Sequence, residues 1–151
     1  MNFVEERRQP ATFTQHISGG EQFARIPIVD DDPAVLWSAD PALRRAGYRT
    51  TTAFDGHGAL GADRRDGPFD LLITDLYMPF MNGAEIARRL RQRTPDLRAL
   101  YLMVSGDQLF PSAVASQSDD TFIDKASGLG ELLTAVANLL RRDLRPSGGT
   151  T

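Results

Sequence analysis

The chain has 151 residues, 41% hydrophobic and 25% charged, with a formal net charge of −3 and no cysteine. That composition fits one soluble domain with one substantial core and excludes a disulfide framework, a thiolate metal site and a cysteine nucleophile. The charge makes no case for nucleic-acid binding, no apolar run nears the roughly 20 residues of a membrane span, and residues 1–20 lack the apolar centre of a signal peptide, so a cytoplasmic protein is expected.

Residues 1–22 are polar and contain Ser18-Gly19-Gly20, which reads as an extension or linker. The body of the fold is expected over 23–144, with 145–151 as a flexible tail. Within the body, a strand at 25–29 leads to a helix at 33–46 that stops at Gly47. A weakly apolar strand follows at 48–53, then a helix at 56–66 and a strand at 69–74. The helix at 83–93 places Ile86, Ala87 and Leu90 on one face and Arg88, Arg89 and Arg91 on the other. The continuous apolar run 99–104 reads as a central strand, followed by a poorly patterned helix at 108–117, a short strand at 121–124 and a last helix at 129–142. A fivefold β-α alternation predicts an α/β fold with a doubly wound parallel sheet. Two prolines cut across this pattern. Pro27 removes a ladder donor from the first strand, and Pro41 is expected to kink the first helix or split it after Asp40.

The chemistry sits where apolar runs stop. Ile28-Val29 runs into Asp30-Asp31-Asp32, Ile73-Thr74 into Asp75, and Phe122-Ile123-Asp124 into Lys125. In a doubly wound sheet these ends share one edge, where ligands bind. Asp32 before Pro33 has a plain role as a helix N-cap with proline at the first helical position. Asp30, Asp31 and Asp75 remain, and crowded carboxylates repel one another and resist desolvation. Lys125, the only lysine beside sixteen arginines, cannot balance them alone. A divalent cation held by oxygen ligands and meeting a phosphate, as Mg²⁺ does, would. Ser105-Gly106 closes the central strand, and its hydroxyl can donate to a phosphoryl oxygen.

In order, Val29-Asp30-Asp31-Asp32-Pro33, Ile73-Thr74-Asp75-Leu76-Tyr77-Met78-Pro79-Phe80-Met81-Asn82-Gly83, Val104-Ser105-Gly106 and Phe122-Ile123-Asp124-Lys125 resemble the receiver domain of two-component response regulators, over about 120 residues. The resemblance implies a flavodoxin-like, CheY-like (βα)5 fold with strand order 2-1-3-4-5. It makes Asp75 the phosphoacceptor, and assigns Mg²⁺ to Asp31, Asp75 and the Tyr77 backbone carbonyl, with Asp30 acting through water. Lys125 would pair with Asp75 and then with its phosphoryl group. Ser105 would move to bind that group, and Phe122 would be the aromatic switch. Tyr77 and Asp107 would stand at the mouth of the site and set the lifetime of the phosphoryl group. Partners would be a sensor histidine kinase or a histidine phosphotransfer protein and an unidentified output protein. With no room for a DNA-binding domain after residue 144, output is expected through protein contact. Such a protein is not an enzyme beyond self-dephosphorylation.

The sequence departs from the family in places. Ala126 stands where the family usually has proline after the lysine, often in a cis bond, so the Lys125–Ala126 bond is either trans or held cis at a cost of about 2.5–4 kcal/mol. Phe122 lacks a hydroxyl and can only pack. Two other readings are open. Asp30 and Asp32 have the Asp-x-Asp spacing of Mg²⁺-dependent phosphatases of the haloacid dehalogenase type. Ala11-Thr12-Phe13-Thr14 resembles the last strand of a histidine-kinase ATP-binding domain, which would make the chain a receiver fragment of a hybrid kinase.

Overall fold

The fold is described from a computed structural model over residues 24–104 and 120–144. The extension 1–22, the tail 145–151, the helix expected at 108–117, and Ser105 and Asp107 all lie outside these residues. Five strands, β1 (Arg25–Val29), β2 (Arg49–Ala53), β3 (Leu71–Asp75), β4 (Arg98–Met103) and β5 (Thr121–Asp124), form one parallel sheet in the order β2-β1-β3-β4-β5. That is the expected 2-1-3-4-5 order.

Four helices are described: α1 (Pro33–Arg45), α2 (Gly56–Asp66), α3 (Gly83–Leu90) and α4 (Gly128–Leu144). A 3-10 turn over Lys125–Ser127 joins β5 to α4. Alternate strand residues feed two separate cores. Ile26, Ile28, Leu71, Ile73, Leu100 and Leu102 face α1 and α4. Val29, Leu72, Ala99 and Tyr101 face Ala59 and Ala62 of α2 and Ile86 and Leu90 of α3. Burial on both faces is why these strands read as continuous apolar runs.

Both prolines are accommodated. Helix α1 runs unbroken through Pro41, because Leu36, Ala39, Ala42 and Leu43 carry one buried stripe across it. Asp40 caps no second half; its carboxylate accepts from Thr50 Oγ1 and, at 3.2 Å, from Arg44 Nε. Pro27 lies inside the sheet, yet β1 is in register with β3 only at Ile28 and Val29. Ahead of that register the two segments are joined by the Asp70 N–H, which donates to Arg25 O at 2.9 Å. Helix α3 is shorter than predicted: the apolar stripe ends at Leu90, and Arg91, Gln92 and Arg93 continue only as turns.

Candidate functional site

Each acidic side chain reaches the sheet edge for a local reason. Strand β1 ends one residue before Asp30, whose backbone N–H still donates to Ala53 O at 3.1 Å and so stays in the sheet. The buried Asp30 Oδ1 accepts from Asp32 N at 2.9 Å, which turns the chain so that Asp31 points outward. Asp32 then caps α1, accepting from Ala34 N at 3.0 Å, with Pro33 at the first helical position. Asp75 is the last residue of β3 and is 6% exposed. Its Oδ1 accepts from Tyr77 N at 3.4 Å, and its carbonyl accepts from the buried Thr74 hydroxyl at 2.9 Å. Gly83 opens α3 because a Cβ there would run into that same carbonyl oxygen.

Ligand oxygens of Asp30, Asp31 and Asp75 lie within 4.8 Å of one another. Lys125 Nζ stands 3.0 Å from Asp30 Oδ2 and 3.4 Å from Asp75 Oδ2. Burial, and after it the charge of Asp30, pushes the Asp75 carboxyl up to about 6. Burial also raises Asp30, against the opposing pull of the Asp32 N–H and Lys125. Burial lowers Lys125, but its bond to Asp30 and the charges of Asp30 and Asp75 outweigh that, and its pKa is raised. Three carboxylates against one ammonium are an under-neutralised oxygen set that suits a hard divalent cation.

The lysine is positioned by an unexpected device. Gly67–Pro68 is the only cis peptide among the described residues, so Lys125–Ala126 is trans. The Ala126 N–H, which proline would lack, donates to Asp124 Oδ1 at 2.8 Å and starts the 3-10 turn. Behind the site, Phe122 stacks on Tyr101 with ring centroids 5.2 Å apart. Tyr101 is held in a buried polar group that sequence reasoning missed. Arg91 Nη2 meets Asp120 Oδ1 at 2.6 Å, and Asp120 Oδ1 also lies 3.3 Å from Ala99 N. Burial and then the Asp120 charge push the Tyr101 hydroxyl up to about 12. The available signal was a tyrosine inside an otherwise aliphatic strand and an aspartate just ahead of the next one. Tyr77 is partly exposed at the edge, while Trp37 on α1 is 72% exposed.

Residues 26–137 match the response regulator receiver domain. The chain belongs to that family. Response regulator MprA of Mycobacterium leprae is 38% identical over 118 residues, covering 78% of this chain and 51% of MprA. The probable transcriptional regulatory protein TcrX of Mycobacterium tuberculosis is 32% identical over 117 residues, covering 78% of this chain and 50% of TcrX. The chain spans about half the length of these curated relatives. Among solved structures, a receiver domain protein from Clostridium thermocellum superposes with a TM-score of 0.70 at 25% identity, over 80% of this chain and 97% of that one. Response regulator TrrA of Thermotoga maritima, solved in complex with Mg²⁺ and BeF, gives a TM-score of 0.65 at 30% identity, over 78% of this chain and 99% of its own. The phosphatase reading falls with the family match. In this receiver, Asp32 is spent on capping α1 and the buried Asp30 on Lys125 and the Asp32 N–H. No helix among the described residues is long and apolar enough to cross a membrane.

Proposed function

We propose that the domain, taken as residues 23–144, accepts a phosphoryl group on Asp75 from the phosphohistidine of a sensor kinase or a histidine phosphotransfer protein, and signals by protein contact. The observation that carries this reading is the convergence of three carboxylates within 4.8 Å with Lys125 set against two of them. A carboxylate oxygen of Asp75 attacks phosphorus, the P–N bond breaks, its electron pair returns to the donor imidazole, and an acyl phosphate forms. Phosphoryl transfer asks the protein for positioning and countercharge more than for covalent chemistry.

Asp31, Asp75 and the Tyr77 carbonyl would hold Mg²⁺, with Asp30 acting through water. Bound there, Mg²⁺ supplies charge neutralisation for the phosphoryl oxygens. Lys125, already between Asp30 and Asp75, would follow the phosphoryl group. Ser105, outside the described residues, would donate its hydroxyl to that group, and Phe122 would repack against Tyr101 as the switch. Turnover would be limited to self-dephosphorylation, the site of action cytoplasmic, and the role of residues 1–22 that of a linker. The test is incubation with acetyl phosphate and Mg²⁺, followed by intact mass and by Trp37 fluorescence on adding beryllofluoride. Gain of one acid-labile phosphoryl group per chain supports the reading, and no gain overturns it.

Asp31→Ala should weaken Mg²⁺ binding by at least about tenfold, since it deletes the one exposed carboxylate of the set. The same change removes a like charge that raises Asp30, so the metal-free protein should be slightly more stable. Calorimetric Mg²⁺ titration of both proteins checks this, and an unchanged affinity would move the metal away from the acidic cluster.

A further inference from the structure

Phe80 occupies a conformation that its side chain disfavours. Its φ is +70°, and it is the only non-glycine residue with positive φ among those described. Met81 N donates to Pro79 O at 2.7 Å, so Phe80 is the centre of a three-residue γ-turn of the rare, strained, positive-φ form. For a bulky L-residue that is an outlier, which glycine would fill at no steric cost. The turn has a packing reason: it sends Met78 and Met81 into the core on either side, with Met81 against α2, where a Cβ on Gly56 would collide with its sulfur. Nothing in that packing uses the phenyl ring, which is 104% exposed. An aromatic held under strain with its ring fully exposed points to a role outside the packing of the described residues.

Its neighbours say where the partner comes from. The large apolar side chains exposed among the described residues are Trp37, Phe54, Tyr77, Phe80, Val104 and Leu129. Phe54 and Val104 directly follow β2 and β4, Tyr77 and Phe80 follow β3, Leu129 lies in the first turn of α4, and Trp37 opens the second turn of α1. Five of them therefore lie at the sheet edge that carries Asp75, with Trp37 one turn further along α1, and among the described residues the opposite edge has none. Asp75 is buried and ends β3 at that edge, so a protein that delivers a phosphoryl group to it from there covers this rim. Exposed aromatics around a buried reactive centre are what a protein interface anchors on.

We propose that Phe80 is a docking anchor for the protein that carries the phosphohistidine, inserting its ring into an apolar pocket of that donor while taking no part in the chemistry at Asp75. This rests on the function proposed above, and the experiment separates the two. Wild type, Phe80→Gly and Phe80→Tyr are compared for thermal unfolding, for phosphorylation by acetyl phosphate, and for phosphorylation by the cytoplasmic portions of histidine kinases from the source organism, autophosphorylated with radiolabelled ATP. Phe80→Gly should raise Tm by about 2–4 °C through relief of strain. Its acetyl phosphate rate should stay within about twofold of wild type, while transfer from the kinase that serves wild type falls at least about tenfold, as loss of an interface anchor predicts. Phe80→Tyr keeps both ring and strain and should transfer like wild type. Wild-type transfer to Phe80→Gly, an equal loss in Phe80→Tyr, or acetyl phosphate acting on wild type when no kinase does, would each overturn the inference. Failure of acetyl phosphate itself would instead overturn the assignment of Asp75.

Discussion

An Asp75→Asn variant takes up no phosphoryl group from acetyl phosphate and Mg²⁺, yet folds more stably than the wild-type protein at pH 7: this pair of opposite effects is the first expected result. A carboxamide cannot form the acyl phosphate, so the loss is complete to within detection. The gain in stability comes from the cost of the buried charge. Burial and the neighbouring Asp30 charge push Asp75 up to about 6 from an ordinary value of 3.8. Below about pH 3.8 the folded and unfolded chains both carry the proton, and Asp75 costs nothing. As pH rises from 4 through 6, the unfolded chain releases its proton first, so wild-type stability falls across that window. A two-unit shift corresponds to about 3 kcal/mol; because Lys125 keeps its second partner and Asp30 shares the charge, we expect a gain of about 1–2 kcal/mol in the variant. Thermal unfolding of both proteins from pH 4 to 7 without metal is the measurement. The downward slope should be present in wild type and flattened in the variant. Equal slopes, or acid-labile phosphate on the variant, would show that Asp75 is neither the strained carboxylate nor the acceptor.

Much of this site was legible in the sequence because parallel sheets put chemistry at strand ends. Short apolar runs buried on both faces stand out, and the first polar residue after each is then at the functional edge. That logic found Asp30, Asp31, Asp75 and Lys125 without any coordinate, and the family order gave the strand sequence. It located β3 slightly too early, since Asp75 still pairs with Leu102 and is itself the last strand residue. The misses have a common cause. Pro41 does not break α1, because tertiary burial of Leu36 and Leu43 outweighs a local rule about one missing donor. Arg91 follows α3, Tyr101 lies in β4 and Asp120 precedes β5, so the three meet only once the sheet is assembled. The strain at Phe80 is a matter of backbone geometry that the residue order Met78-Pro79-Phe80-Met81 conceals. Ala126 was read as the loss of a proline, whereas its N–H is what Asp124 holds.

Lys125→Met should be the most destabilising single change at the site, and its effect should depend on pH and on Mg²⁺. Lys125 is the only cation within 4 Å of Asp30 or Asp75 among the described ion pairs, at 3.0 and 3.4 Å. Methionine replaces the apolar stem and leaves two buried carboxylates without a countercharge. Breaking a buried pair from one side typically costs about 3–5 kcal/mol; because both carboxyls can take up protons instead, we expect about 2–4 kcal/mol at pH 7. Removing the ammonium raises both carboxyls further above their unfolded values, so the deficit should shrink toward pH 4, where Asp75 is protonated, and should grow as pH rises through 5 to 7. Saturating Mg²⁺ at pH 7 then becomes the only countercharge available. It should stabilise the variant more than wild type, because any ligand favours the folded state in proportion to its affinity for it, and the variant's site has lost the cation that competes with the metal. Unfolding at pH 4 and pH 7, each with and without Mg²⁺, measures all four corners. A deficit of the same size in every condition would mean that Lys125 contributes packing rather than charge. A deficit that Mg²⁺ does not reduce would separate the lysine from the metal, and with it the electrostatic account of how Asp30, Asp31 and Asp75 share one edge.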